Sequence, residues 1–288
     1  MNVVREAAAL EHRPRAVAIG TFDGVHLGHR SVIRAAVQAD LTSTVVTFDP
    51  HPRSVLGQQV ELLSTLDRRL ELFEGCGVED VLVVPFTPDV ATLEPAAFAG
   101  EYLLGPGTRV IVAGAGFRFG RNREGDLALL ASLGLDARTV PLVEGVSSTR
   151  IRSFAHAGDV AAAAHLLGRP IEVEGTVVGG DRRGTGLGFP TANVEPVQGL
   201  LVPANGIYAG AVGDARAAIS IGVNPHYGGT ERRIEAFLLD WSGDLYGQRL
   251  VVELWERLRD ERAFESEQEL VGQIARDVEQ ARAAVRPG

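Results

Sequence analysis

A short apolar run, Ala16-Val17-Ala18-Ile19, leads directly into Gly20-Thr21-Phe22-Asp23-Gly24-Val25-His26-Leu27-Gly28-His29, and a helix-like run from Arg30 to Asp40 follows. This order constrains the fold more than any other feature of the chain. A strand, a glycine-rich turn and a helix start open a strand–helix–strand unit, and such units build parallel sheets. The turn is also a ready anion site, because free backbone N–H groups and the helix dipole point at it. His26 and His29 are three apart and are expected to share one face of the first helical turn. Two imidazoles in that place suit charge stabilisation on a phosphate. Zinc is a poor fit, since no Cys cluster or H-E-x-x-H pattern supplies further ligands.

The rest of the first half keeps the same rhythm. Strand-like runs recur at Ser43–Phe48, Val81–Val84, Arg109–Ala113 and Ala137–Pro141. Helix-like runs lie between them at Leu66–Glu74, Pro95–Leu104 and Gly125–Leu133. Ligands of such α/β sheets bind beyond the carboxyl ends of the strands. The polar motifs fall there: Phe48-Asp49-Pro50-His51-Pro52, then Gly114-Ala115-Gly116-Phe117-Arg118-Phe119-Gly120, then Ser147-Ser148-Thr149-Arg150-Ile151-Arg152. His51, between two prolines, is expected to be a rigid loop feature. The last motif puts hydroxyls and two arginines at a helix start, which suits phosphate. A Ser/Thr N-cap with surface arginines explains it equally well.

Composition narrows the chemistry. The sequence of 288 residues contains no lysine, so all 28 basic residues are arginine. A Walker A lysine and a Schiff-base lysine are therefore excluded. Phosphate contacts fall to Arg, His, backbone N–H groups or Mg²⁺. A net charge of −9 argues against a broad nucleic-acid surface. No apolar run approaches the ~20 residues of a membrane helix, and the N-terminus lacks a signal-type apolar run. The single Cys76 allows no internal disulfide, so a reducing, cytoplasmic compartment is expected. Small-molecule partners are implied, with neither nucleic acid nor membrane; the sequence sets no oligomeric state.

After the helix pair Thr149–Ala157 and Val160–Leu167, Gly168-Arg169-Pro170 breaks the pattern. Two domains are expected, 1–168 and 169–288. Strands now follow one another without helices: Ile171–Val178, Gly206–Val212, Ala217–Gly222, Ile234–Asp240 and Gln248–Leu254. That is the pattern of a small antiparallel barrel. One amphipathic helix from Ser266 to about Val285 ends the chain, with Ser266 and Glu269 spaced as a capping box. The loop Gly179-Gly180-Asp181-Arg182-Arg183-Gly184-Thr185-Gly186-Leu187-Gly188-Phe189-Pro190-Thr191-Ala192-Asn193 lets backbone approach phosphate closely, but it is not a P-loop.

The ordered string F-D-G-x-H-x-G-H resembles the signature of the nucleotidyltransferase superfamily. Together with F-D-P-H-P, F-R-F-G and S-S-T-x-I-R, the stretch from Ala16 to about Leu167 resembles the adenylyltransferase module of bacterial bifunctional riboflavin kinase/FAD synthetases. G-F-P-T-A-N resembles the riboflavin kinase signature. That match continues through Gly206-Ile207-Tyr208-Ala209-Gly210, Ile221–Pro225, Ile234–Asp240, Asp244–Gly247 and Leu258-Arg259 before Phe264.

The resemblance implies a Rossmann-like nucleotidyltransferase domain, a mainly β kinase domain with a C-terminal helix, and two ATP-dependent steps. Riboflavin is phosphorylated to FMN, and FMN is adenylylated to FAD. It implies that His26 and His29 are catalytic in the second step, with Gly20, Phe22, Gly24, Gly28, Ser147, Ser148, Thr149, Arg150 and Arg152 binding ATP or phosphate. For the kinase it implies Glu235 as base, Thr191 and Asn193 at Mg-ATP, Gly184, Gly186 and Gly188 at phosphate, and Asn224 and Arg259 on the flavin side. Two positions depart from the family pattern. Gly116 stands where Asn or Asp is usual, and His226-Tyr227 stands for the Thr-Phe of N-P-T-F. A chain whose first half is impaired and only binds nucleotide, or a non-catalytic flavin sensor, are the alternative readings.

Overall fold

The computed structural model describes residues 1–179, 189–223 and 232–288. Gly184, Gly186, Gly188, Asn224, His226 and Tyr227 lie outside the described residues. Two compact units are present: Met1–Val60 with Leu66–Val146, and Glu61–Thr65 with Ser147–Gly288.

The first unit is a six-stranded parallel sheet. Its strands are β1 (Asn2–Val4), β2 (Arg15–Ile19), β3 (Thr42–Asp49), β4 (Asp80–Pro85), β5 (Thr108–Gly114) and β6 (Asp136–Val140). The order is β1-β4-β3-β2-β5-β6. Helix α1 (Leu27–Val37) follows β2; α2 (Pro52–Val55) and α3 (Leu66–Gly75) follow β3 in sequence; α4 (Pro88–Thr92), α5 (Pro95–Phe98) and a π-helical turn (Ala99–Leu104) follow β4; α6 (Leu127–Ser132) follows β5.

Alternation along the strands feeds two cores. Ala16 and Ala18 of β2 face one core with Val32, Ile33 and Phe73, whereas Val17 and Ile19 face the other with Phe98, Leu103 and Leu130. A sheet covered on both faces needs near-continuous apolar strands, which is what the sequence supplies. Each large side chain fully buried in these layers contributes about 1.5–3 kcal/mol. The chain winds outward from β2 through β3 to β4 and then returns to β2's other edge with β5. The carboxyl ends of β2 and β5 therefore flank the switch point where such sheets bind ligands.

In the second unit, α7 (Ser148–His156) and α8 (Val160–Leu167) precede a closed, antiparallel barrel. Its strands are β7 (Ile171–Val178), β8 (Ala192–Pro196), β9 (Gly206–Val212), β10 (Ala215–Val223), β11 (Arg232–Leu238) and β12 (Arg249–Arg259), in the order β10-β11-β8-β7-β12-β9. Residues 61–65 join this unit. Leu62 N–H donates to Gly199 O at 2.8 Å, Leu201 N–H donates to Leu62 O at 2.8 Å, and the Thr65 hydroxyl donates to the buried Glu174 at 2.8 Å. Helix α9 (Glu267–Ala283) ends the fold, with Ala281 and Ala284 packed on Ala209, Ala211 and Trp255. The Ser266 side chain caps α9 by accepting from Glu269 N–H at 3.2 Å. The Glu269 carboxylate reaches Glu265 N–H at 3.3 Å, one residue earlier than the expected capping box requires.

Candidate active sites

In the first unit the chain leaves β2 through a strained turn. Gly20 N–H still donates to Val46 O at 3.1 Å, which holds it to the sheet. Phe22, Gly24 and Val25 then adopt φ of 50°, 78° and 40°. Such values cost a non-glycine residue on the order of 1–2 kcal/mol, and this kind of strain gathers at functional turns. Burial of Phe22 offsets it. Its ring meets Phe73 of α3 edge-on at 5.8 Å and His29 at 5.4 Å.

The two histidines are closer than a shared helix face implies. Helix α1 begins at Leu27, not Arg30, and His26 is its N-cap. His26 Nδ1 accepts from His29 N–H at 3.2 Å. The cap turns His26 over the helix start, so the two rings stack with centroids 3.5 Å apart and planes inclined by 16°. A Cβ on Gly28 would lie 3.3 Å from the His26 ring, so glycine leaves room for that stack. Because Nδ1 accepts, the neutral His26 carries its proton on Nε2. His29 is half-buried, yet its Nδ1 is sealed from solvent with no hydrogen-bond partner among the described residues. Burial first, then the nearby His26 and Arg69, hold the His29 pKa well below its ordinary 6.5.

The neighbouring strand ends carry the other motifs. His51 caps α2, its Nδ1 accepting from Arg53 N–H at 3.1 Å, which agrees with a loop role. After β5, Gly116 takes φ 80°, and among the described residues, its two chain neighbours aside, no heavy atom lies within 4 Å of where its Cβ would be. Phe117 and Phe119 stack at 5.7 Å, and Arg118 pairs with Asp126 at 2.5 Å. Arg69 was not singled out by sequence. It is 3 % exposed and donates to Thr21 O, Thr47 Oγ1 and Phe48 O at 2.9, 3.2 and 3.2 Å.

The second unit holds the remaining motifs. Ser147 caps α7, accepting from Arg150 N–H at 3.2 Å, as the capping alternative expects. Arg150 lies over the Phe154 ring at 5.4 Å, and Arg152 Nε donates to Glu61 O at 2.7 Å. Ser148 and Thr149 form the first turn of α7.

A cleft of about 300 Å³ lies between the outer barrel face and α9. Thr191, Glu235 and Arg259 all line it, with Phe189, Phe237 and Phe264 among its walls. The strand register explains the convergence. Ile234, Ala236 and Leu238 point into the barrel and are buried, so Glu235 points out. Asn193 of β8 and Ser220 of β10 sit directly opposite Glu235 on the neighbouring strands. Directly opposed residues share a face in an antiparallel sheet. Arg259 is the last residue of β12, and Asp277 of α9 grips it through contacts of 2.6, 3.0 and 3.1 Å.

Two family models match the chain: FAD synthetase over residues 8–153 and riboflavin kinase over residues 167–285. The bifunctional riboflavin kinase/FMN adenylyltransferase of Listeria monocytogenes is 34% identical over 93% of this chain and 92% of its own length. The Escherichia coli K12 enzyme of the same name is 34% identical over 96% of both chains. The chain belongs to the bifunctional riboflavin kinase/FMN adenylyltransferase family. The Bacillus subtilis member is 35% identical over 94% of this chain and 92% of its own length. A crystal structure named as a macrolide-efflux protein from Streptococcus pneumoniae superposes with a TM-score of 0.87 at 30% identity, over 97% of this chain and 98% of that one. Among the described residues, no helix of this family member is long and apolar enough to cross a membrane.

Two functional candidates carried a weak sequence signal. Leu66, Arg69, Leu70 and Phe73 are spaced as one apolar helix stripe with an arginine inside it, which marks Arg69 as buried. Asp277 sits similarly beside Val278 and Ala281 on the buried side of α9. In both cases a charge on an apolar stripe signals a buried partner.

Proposed function

We infer that this chain makes flavin cofactors in two steps: ATP-dependent phosphorylation of riboflavin to FMN, then adenylylation of FMN to FAD with release of pyrophosphate. The observation that carries the reading is the meeting of Thr191, Glu235 and Arg259 in one cleft, within the stretch matched by the riboflavin kinase model. The stacked His26–His29 pair, in the stretch matched by the FAD synthetase model, supports the second step. The functional division we assign is 1–168 for FMN adenylyltransferase and 169–288 for riboflavin kinase.

In the kinase step the 5′-hydroxyl of riboflavin is a weak nucleophile, and Glu235 is the base we assign to take its proton; its position on the cleft lining supports that role. The oxygen then attacks the γ-phosphorus of ATP, the bond to the β-phosphate oxygen breaks, and ADP leaves. Arg259 orients the flavin. Thr191 and Asn193 offer hard oxygen donors beside Glu235, a set that suits Mg²⁺. Bound there, Mg²⁺ supplies neutralisation of phosphate charge. Gly184, Gly186, Gly188 and Asn224 keep the phosphate and flavin roles that the family signature gives them.

In the adenylyl step the FMN phosphate is already anionic and needs no base. One of its oxygens attacks the α-phosphorus of ATP, and the bond to the leaving pyrophosphate breaks. The α1 start, with Gly20, Phe22, Gly24 and Gly28 shaping the turn, positions phosphate on backbone N–H groups. His26 and His29 donate to developing charge. Ser147, Ser148, Thr149, Arg150 and Arg152 offer a second phosphate-binding helix start. We assign the chain to the cytoplasm, a reading that its single cysteine supports.

The test is direct. Purified protein is incubated with riboflavin, ATP and Mg²⁺, and the products are separated by chromatography. FMN followed by FAD supports the reading. FMN alone points to an impaired first half, and flavin binding without either product to a sensor.

A further inference from the structure

The structure assigns a task to Arg69 that no signature motif covers. Its guanidinium lies beneath the His26–His29 turn, in the first unit, and is 3 % exposed. A buried charge is costly unless hydrogen bonds engage it, and an aliphatic residue is the default on the apolar stripe of α3; here one guanidinium nitrogen, Nη1, makes the bonds, while Nε has no partner among the described residues. Arg69 is engaged by main-chain atoms at two strand ends. It donates to Thr21 O just after β2 and to Phe48 O in β3, and also to Thr47 Oγ1. The Thr47 hydroxyl in turn donates to the same Thr21 O at 3.1 Å. Asp49, at the end of β3, lies 3.8 Å from the guanidinium. Thr21 immediately precedes Phe22, where the strained turn begins.

We propose that Arg69 is a positioning residue for adenylyl transfer, locking the ends of β2 and β3 so that the turn between them presents the stacked His26–His29 pair in one geometry. The proposal rests on the reading of that turn as the adenylyl-transfer site. The strain at Phe22 and Val25 needs such a lock, since a turn with that backbone relaxes unless its ends are fixed. Arg69 also acts through charge. His29 faces His26 and Arg69, while Asp23 and Asp49 offset part of the arginine's field. The same guanidinium that fixes the turn therefore disfavours a charged His29.

The test uses the full chain. In Arg69→Lys, which keeps the charge but has a shorter side chain that does not bring its ammonium to the place where one guanidinium nitrogen now meets all three acceptors, kcat for FAD formation should fall at least about tenfold, because small misplacements of reacting groups are costly. The loss should be larger in Arg69→Met. The kinase step, measured in the same preparation, should stay within about twofold. Thr47→Val removes one acceptor at nearly constant volume and should show a smaller loss in the same direction; it carries the test where Arg69→Met does not fold.

A second readout is the NMR titration of ¹³C-labelled histidines. In Arg69→Met or Arg69→Lys the two effects separate: the His29 midpoint should move up in the former and stay low in the latter. A merely structural arginine would lower Tm without moving that midpoint. Wild-type kcat for FAD formation in Arg69→Lys and Thr47→Val, or an unmoved His29 midpoint in folded Arg69→Met, overturns the proposal. His29→Ala is the control: FAD formation surviving in it would overturn the reading of the turn itself.

Discussion

Asp277 holds Arg259 at the rim of the barrel cleft with three contacts of 2.6–3.1 Å, and Gln273 Nε2 donates to the same carboxylate at 2.8 Å. The aspartate is on α9 and the arginine ends β12, so one ion pair both closes the cleft wall and fixes the cation that we assign to the flavin side. Arg259 also lies over the Phe264 ring at 5.8 Å. We predict that Asp277→Asn raises KM for riboflavin about tenfold or more, since hydrogen bonds to charged groups are worth about 1.5–3 kcal/mol. Its kcat for FMN formation should change less, and adenylylation not at all. Steady-state kinetics of both steps check this; an unchanged KM would show that Arg259 needs no clamp.

Glu235 faces out of the barrel toward the same cleft, opposite Asn193 and Ser220. Glu235→Gln keeps size and hydrogen bonding but cannot accept the proton. We predict a fall in kcat for FMN formation of about 10²–10⁴, the usual contribution of a general base. FAD formation from supplied FMN should persist. Full kinase activity in this variant would remove Glu235 from the mechanism.

The fold was legible because periodicity carried it. Buried strands such as Val81–Val84 and alternating ones such as Ala217–Gly222 announce their layers. Strand β8 was missed because Ala192–Pro196 is short and ends in proline, and β1 because it spans only Asn2–Val4. Motif strings located Thr191, Glu235 and Arg259, but not why they meet, which depends on pairing between strands distant in sequence. The helix start at Leu27 was placed three residues late because His26 is not among the preferred N-cap types. Arg69 and Asp277 have no motif; only burial and partners single them out.

The kinase unit extends beyond its signature. Ile151, Ala155, Leu166 and Leu167 of α7 and α8 are buried, and Ala204 N–H donates to Ala155 O at 3.0 Å. Each large aliphatic side chain removed from such a core costs about 1.5–3 kcal/mol. A fragment 147–288 should therefore melt at a higher temperature than 169–288, by circular dichroism, and both should phosphorylate riboflavin where folded. Equal melting temperatures would mean that the helix pair adds nothing to the barrel.

The last prediction concerns Gly116, where the family usually has Asn or Asp. Its φ of 80° lies in the left-handed region, and its Cβ direction is open. Among L-residues, Asn and Asp tolerate that backbone best. The family residues and glycine are thus alternative fits to one turn, and glycine is the unstrained one. What glycine lacks is a side-chain hydrogen bond to substrate, worth about 0.5–1.5 kcal/mol. Arg118 is the nearby candidate to compensate, but it is paired with Asp126, the N-cap of α6. That pair is half-exposed and screened by solvent, so it holds Arg118 only weakly. Gly116→Asn should therefore lower stability by about 1 kcal/mol through backbone strain, while reducing KM for ATP or FMN up to about tenfold in FAD formation. The double variant with Arg118→Ala separates the two sources of binding. If Gly116 marks a lost contact, Asn rescues KM even without Arg118. If Arg118 has taken over, Arg118→Ala alone raises KM sharply and Asn then restores it. A folded Gly116→Asn with weaker binding would mean that this chain needs the close backbone approach that only glycine permits.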